Sequence, residues 1–378
     1  MVTMPLLSCR VDLDAIAHNV RALKAHIGPQ HRFMGIVKAD AYGHGVERVA
    51  PVLVSAGVDA LGVATLKEAI QLRDIGIEVP ILAWLWDAAI GKEWVSSALA
   101  AQVELAIPSL AHAQLLVDSK IPGKVCVKVE TGMHRNGVDM HEWNEVFALL
   151  ASEEASHLQF TGVMSHLACA DDPDNPHNAH QIAQLQTAIE AAKANGLEPT
   201  INHLAASAAA IDNPEARFEQ VRVGVALYGL SPFAHEADVD LKPASTWAAK
   251  VVNVKPIEAG DAASYRLTWT AESSGHLAVI PVGYADGLPR MVQGHLEVGI
   301  GGKRYPQVGR VCMDQIVVDL GENPFEVVPG DEAIIFGVGG MSATELADAV
   351  GTINYEVVCW PKGRTRWEYE GGYEEYFS

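Results

Sequence analysis

The stretch R-F-M-G-I-V-K-A-D-A-Y-G-H-G, residues 32–45, decides how this chain is read. An apolar run of strand length stops on Lys38, and a glycine-bearing turn then leads into a new amphipathic pattern that starts at Val46. This is the grammar of a strand followed by a helix, with a long cation set where the strand stops. The unit recurs: runs of strand length end at Lys38, Thr65, Trp86, Ile107, Glu130, Leu167, Leu204 and Tyr228. Between them lie amphipathic stretches such as 46–56, 66–75, 143–151 and 181–195. Eight strand-then-helix units predict a (β/α)8 barrel of the TIM type, an architecture of about 250 residues. A doubly wound open sheet shares the alternation and competes on periodicity alone.

After about residue 240 the texture changes to short β-rich runs, W-A-A-K-V-V-N-V, H-L-A-V-I-P-V, Q-I-V-V-D-L and E-A-I-I-F-G, separated by turn signals such as E-A-G-D and Y-A-D-G. A second, mostly-β domain is therefore expected over 237–378, after a barrel over 10–236, with the boundary in S-P-F-A-H-E-A-D-V-D-L-K-P and residues 1–10 packing with the β domain. The acidic, aromatic tail E-Y-E-G-G-Y-E-E-Y-F-S reads as a surface segment.

A length of 378 residues also favours two cores over one. The balance of 27 Lys+Arg against 47 Asp+Glu, a formal charge of −20, repels phosphate backbones and anionic membranes, which argues against nucleic-acid or membrane partners. No basic-then-apolar leader opens the chain and no apolar run has bilayer length, so a cytoplasmic protein is expected. The cysteines, 5 in number and widely scattered, never take metal-ligand spacing; neither a disulfide framework nor a zinc site is called for.

In a parallel barrel, function collects at the C-terminal ends of the strands. Those ends offer Lys38, Trp84 and Trp86, Lys128 with Arg135 beyond it, His166, His203 and Ser207, and Arg222 in the last strand. Taken singly, a strand-end lysine is more often snorkelling to solvent than reacting, and the tryptophans and His203 are more often packing. Convergence changes the weight, because one rim would gather two lysines, two arginines and two histidines. Such a rim suits an anion, and A-A-S-A-A-A around Ser207 with the small residues around Gly224 makes a phosphate cradle. A lysine, a phosphate cradle and aromatic walls suggest pyridoxal phosphate, although a lysine that condenses with a sugar-phosphate carbonyl would leave the same marks.

Beyond this the chain resembles the alanine racemase family of fold-type III pyridoxal-phosphate enzymes. The resemblance runs in order through V-K-A-D-A-Y-G-H-G, K-V-E-T-G-M-H-R-N-G, H-L-A-A-S-A-A, V-R-V-G-V-A-L-Y-G, A-S-Y-R-L-T-W-T-A, V-G-Y-A-D-G, G-R-V-C-M-D-Q and T-I-N-Y-E-V. It implies pyridoxal 5'-phosphate held covalently by Lys38, which is one of two catalytic acid–bases, and Tyr265 of the partner subunit as the other. It further implies a homodimer with shared sites and supply of D-alanine for peptidoglycan. Tyr42, Ser207, Gly224, Val225 and Tyr355 match phosphate-binding positions, Arg222 the partner of the pyridine nitrogen, and His166 and Trp84 ring contacts. Arg135 and Met313 match substrate-proximal positions, Met313 again from the neighbouring subunit, with Asp314 beside it. Lys128 aligns with a lysine that many members carry as a carbamate; burial favours exchanging the cation for an anion facing Arg135, against an unmodified lysine paired with Glu130.

Arg266, Trp269, Ala206 before Ser207 and the segment W-P-K-G-R-T-R-W depart from the family pattern and bear on the entry corridor. A racemase of serine or another small amino acid, a fold-type III decarboxylase and a non-catalytic cofactor carrier are the competing readings. The β domain argues against the last.

Overall fold

Seven of the apolar runs form one parallel sheet, in the order Leu158–Met164, Gly123–Lys128, Val103–Ile107, Ile81–Ala83, Ala60–Val63, Arg32–Ile36, Gln220–Val223. The computed structural model describes residues 5–89 and 92–372; most of the acidic tail lies outside them. Parallel strands joined by helical crossovers are covered on both faces, which is why their sequences run apolar without alternating. Ala60–Val63 and Ile81–Ala83 are buried at every position.

The expected strand ending at Leu204 takes another form. Residues 201–205 run between the two edges of the sheet and bond to both: His203 N–H donates to Val163 O at 3.1 Å and Ser165 N–H to His203 O at 3.2 Å on one side. Gln220 N–H to Asn202 O at 3.1 Å and Arg222 N–H to Ala205 O at 2.9 Å hold the other. A regular ladder fails here because side chains take backbone places. Asn202 Oδ1 accepts Val163 N–H at 3.0 Å, and Glu219 Oε2 accepts both Asn202 N–H at 2.9 Å and Asn202 Nδ2 at 2.8 Å. The sheet thus curls shut through an irregular eighth stave, and the fold is a TIM-type (β/α)8 barrel.

Two compact units make up the chain. Among the described residues, the barrel unit comprises 16–41 and 46–242; the other takes 5–15, 42–45 and 243–372. This second unit is mostly β, with a nine-stranded sheet ordered Asn253–Ile257, Gly275–Ile280, Ile316–Gly321, Lys303–Val308, Glu297–Ile300, Glu332–Phe336, Ser245–Lys250, Leu7–Asp12, Arg366–Glu370. Leu7–Asp12 pairs antiparallel with Ser245–Lys250 and parallel with Arg366–Glu370. Leu7, Cys9 and Val11 alternate inward toward a core containing the fully buried Trp247 and Phe336, whose rings lie 5.9 Å apart. Arg10, on the opposite face, forms a two-point ion pair with Glu332. Among the described residues no helix is long and apolar enough to cross a membrane.

Candidate active site

The barrel's strand ends concentrate cations. Arg222, in Gln220–Val223, is almost fully buried and donates to His203 Nδ1 and His203 O, both at 2.9 Å, to Ser165 O at 2.6 Å and to Leu204 O at 3.0 Å. Because a guanidinium can only donate, His203 Nδ1 must accept, so this ring is neutral and carries its proton on Nε2. Burial, then Arg222, pushes the His203 pKa well below the ordinary histidine value. His166 behaves alike: its Nδ1 lies 3.3 Å from Arg222, and burial, followed by Arg222, Arg135, Lys128 and Lys38, brings its pKa down to about 3. All the contacts of Arg222 run through Nη1 and Nη2. Nε has no partner among the described residues, and that single N–H is available to an acceptor from outside the chain.

Lys128 closes the strand Gly123–Lys128 and is 7% exposed. Burial first, then Arg222 and Arg135, lowers its pKa to about 8, with Glu130 opposing weakly. Pairing with Glu130 is not what the structure holds. The Glu130 carboxylate folds back on its own loop, accepting Gly132 N–H at 2.5 Å and Met133 N–H at 2.7 Å. Burial works against its ionisation, but these amides, with those of His134 and Arg135, outweigh it and keep the carboxyl below the usual range. The same loop presents Arg135 at the surface.

Lys38 follows Arg32–Ile36 and is half-buried, its Nζ 6.0 Å from the centre of the Trp84 ring. Gly62 makes room there: a Cβ would lie 2.6 Å from Ile36 Cδ1 and 3.1 Å from Trp84. Beyond Lys38 the chain does something the sequence does not announce. The helix Lys38–Gly43 is left-handed, with φ of 52° at Ala39, 55° at Asp40, Ala41 and Tyr42, and 76° at Gly43. Each non-glycine residue in that conformation costs about 1–2 kcal/mol. The bend thus begins at Ala39, four residues before the first glycine of the turn, and Gly43 and Gly45, with φ of 76° and 85°, continue it. Those glycines answer to close approach within the β unit, where a Cβ at Gly43 would meet Val358 O at 2.8 Å and one at Gly45 would overlap the Tyr369 hydroxyl.

Ser207 opens the short helix Ser207–Asp212, and its hydroxyl accepts Gly224 N–H at 2.9 Å, so the two small-residue runs meet, with Val225 buried behind them. Ala206, where asparagine is usual, gives this helix no side-chain cap and leaves its first amides open. Sequence reading missed Gln181, which is fully buried and ties the strand ends by donating to Thr131 Oγ1 at 3.1 Å and to His166 O at 3.0 Å. It carries no motif, only a polar residue on an inward helix face.

Other expected residues belong to the β unit. Tyr42 and Tyr355 lie together, ring centres 6.3 Å apart, and burial, then Tyr355 and Cys359, raises the Tyr42 pKa. Tyr265 is 70% exposed, on a strained loop where Ser264, Arg266 and Leu267 have φ of 67°, 63° and 49°. Ser264 Oγ anchors this loop to Arg310 O at 2.9 Å and lies 3.6 Å from Cys312 Sγ, which places it beside the segment of Met313. Trp269, one of the departures, packs with Ala263 on the core of Ile257, Ala271, Leu277 and Val308, forming the base under this hairpin. Another departure, W-P-K-G-R-T-R-W, supplies Arg364, which clasps the fully buried Asp286 at 2.7 and 2.8 Å and Asp314 at 2.8 Å, bracing the Met313 segment.

A TIM-type barrel that gathers cations at its strand ends and is followed in the chain by a mostly-β unit defines a class of two-domain barrel enzymes. Models of the alanine racemase N-terminal and C-terminal domains match residues 11–232 and 244–369. The alanine racemase of Corynebacterium efficiens is 52% identical over 371 residues, covering 97% of this chain and 99% of that one. That of Mycobacterium tuberculosis is 44% identical over 367 residues, 95% and 94% of the two chains. Crystal structures of the Corynebacterium glutamicum and Streptomyces lavendulae racemases superpose with TM-scores of 0.88 and 0.94 at 47% and 36% identity; they cover 97% and 100% of this chain and 100% of their own. The chain belongs to the alanine racemase family, enzymes of the isomerase class.

Proposed function

We propose that this chain interconverts L- and D-alanine with pyridoxal 5'-phosphate, as a homodimer in which Lys38 and Tyr265 of the partner subunit are the two acid–bases. The observation that carries the reading is the uncommitted Nε–H of the buried Arg222, set among strand ends that also present Lys38. A flat cofactor with an acceptor nitrogen, a phosphate and an aldehyde fits this donor set. Arg222 Nε–H would hold the nitrogen, the open first amides of Ser207–Asp212 and the turn at Gly224 and Val225, together with Tyr42 and Tyr355, would hold the phosphate, and the Lys38 amine would bind the aldehyde covalently. Trp84 and His166 would contact the ring. The neutral state of His166 suits contact with it.

The proton at Cα of alanine is far too weakly acidic for a side chain alone. The bound cofactor supplies a conjugated system that spreads the charge left behind when that proton departs. Lys38 Nζ then removes or returns the proton on one face, and the partner's Tyr265 hydroxyl does so on the other, so the substrate need not turn over. Arg222, which can only donate, would hold the ring nitrogen as an acceptor, and this would limit charge build-up and side reactions. Arg135, assisted by Met313 of the partner subunit, orients the substrate carboxylate. Lys128, which makes no ion pair with a carboxylate among the described residues, would be held as a carbamate whose negative charge faces Arg135.

Dimerisation accounts for the apolar groups the β unit exposes: Tyr265 at 70%, Leu267 at 64%, Ile353 at 60% and Met313 at 51%. The product is D-alanine for peptidoglycan, made in the cytoplasm. The test is to incubate the purified protein with pyridoxal phosphate and L-alanine in deuterated water, following D-alanine and α-deuterium. Failure to form either refutes the proposal.

A further inference from the structure

The geometry points to Glu68 as a positioning residue for Lys38, an inference that rests on the cofactor-binding lysine proposed above. Glu68 is the third residue of the helix Leu66–Asp74 and closes a reciprocal cap with Thr65. Its Oε2 accepts Thr65 N–H at 2.8 Å and the Thr65 hydroxyl at 3.1 Å, while Thr65 Oγ1 accepts Glu68 N–H at 3.3 Å. One carboxylate oxygen satisfies that cap. The other, Oε1, accepts the N–H of Ala39 at 2.7 Å.

Ala39 is the residue after Lys38 and the first of the left-handed run. Such a run does not sustain itself in L-residues; it persists where its surroundings over-determine it. Two carboxylates do so here. Asp40 Oδ1 accepts Val46 N–H at 2.7 Å at the exit, but Asp40 belongs to the turn itself. Glu68 grips the entry from a capped helix that follows the fully buried strand Ala60–Val63, so its hold is referred to the barrel wall. Fixing the Ala39 N–H fixes the peptide plane joining Lys38 to Ala39, and with it the ψ torsion of Lys38, which orients the lysine side chain against the turn that follows it. Through this bond Glu68 keeps the Lys38 amine in place for the cofactor aldehyde.

The experiment separates cap from grip by measuring the dissociation constant of pyridoxal phosphate for the apoprotein, from visible absorbance, beside the apoprotein's thermal midpoint. Glu68→Asp keeps the charge and a carboxylate able to cap, as Asp286 does from the equivalent position to Gly283 N–H, but is one methylene too short to reach Ala39 as well. It is expected to leave the thermal midpoint near wild type and to weaken cofactor affinity about tenfold or more, the scale of a modest misplacement. Thr65→Ala removes the cap and leaves the grip, so it should lower the thermal midpoint with cofactor affinity held within about twofold of wild type. Glu68→Asp binding as tightly as wild type, or Thr65→Ala weakening affinity as much as Glu68→Asp, overturns the inference. A wild-type apoprotein that takes up no pyridoxal phosphate refutes the underlying functional reading instead.

Discussion

Two exposed alanines should respond to the same substitution with opposite signs. Ala39 lies in the left-handed turn with φ of 52°, and its methyl faces solvent, so replacing it by glycine surrenders no buried surface. The strain relieved is about 1–2 kcal/mol. Against it stands the extra freedom of glycine in the unfolded chain, about 0.4–1 kcal/mol. Ala39→Gly is therefore expected to stabilise the protein by about 0.5–1 kcal/mol. Ala183 is equally exposed but sits inside the right-handed helix Pro176–Ala194, where there is no strain to relieve. There the substitution should destabilise by about 1 kcal/mol. Urea denaturation of both apoproteins, followed by far-ultraviolet circular dichroism, reads the difference as displacement of the midpoint in opposite directions with unchanged slope. If Ala39→Gly destabilises as Ala183→Gly does, the turn is not left-handed in solution.

Tyr265→Phe should retain the bound cofactor's absorbance yet lose racemisation by at least about a hundredfold, with one direction of proton exchange surviving, as measured by α-deuterium incorporation from each enantiomer. The folded state holds His166 neutral down to about pH 3 while the unfolded chain protonates near 6.5, so the unfolded state binds more protons in that window and stability falls as pH drops through it. His166→Gln should flatten that limb of the stability curve. Arg364→Leu leaves the carboxylate of Asp286 buried without its guanidinium; a cost of about 2–3 kcal/mol is expected, less than for a fully buried pair because Arg364 is half exposed, and Asp286→Asn on that background should recover part of it in thermal melts. The Lys128 pKa of about 8 puts a fraction of neutral amine within reach of carbon dioxide at pH 8, so labelled bicarbonate should give a carbamate carbon signal in NMR and raise the thermal midpoint, both lost in Lys128→Ala.

The barrel was legible because parallel strands buried on both faces spell unbroken apolar runs, and the strand-end list followed from where those runs stop. Its eighth stave was harder to foresee in form, since T-I-N-H-L reads as a strand while the Asn202 side chain takes over a backbone bond. The rim residues Lys38, Lys128, His166, His203 and Arg222 could be named from position, but not the direction of each hydrogen bond or the idle Nε. Nothing local distinguishes A-D-A-Y in a left-handed turn from the same letters in a right-handed one. What holds it arrives from Glu68, in T-L-K-E, whose capping pattern was visible although its second oxygen's target was not. Trp269 and Arg364 stand out in the sequence only as departures from a pattern. What they touch, a packed core and a buried carboxylate, is set by neighbours distant in sequence.

The position of Leu7–Asp12 in the large sheet bears on the order of its assembly. This strand has Ser245–Lys250 on one side and Arg366–Glu370 on the other, both far along the chain. Pairings of such long sequence separation carry a loop-closure cost and form late, so the strand stays unpaired until both distant partners have been synthesised and have found it. In a nascent chain that waiting strand is where a holding chaperone has most to protect.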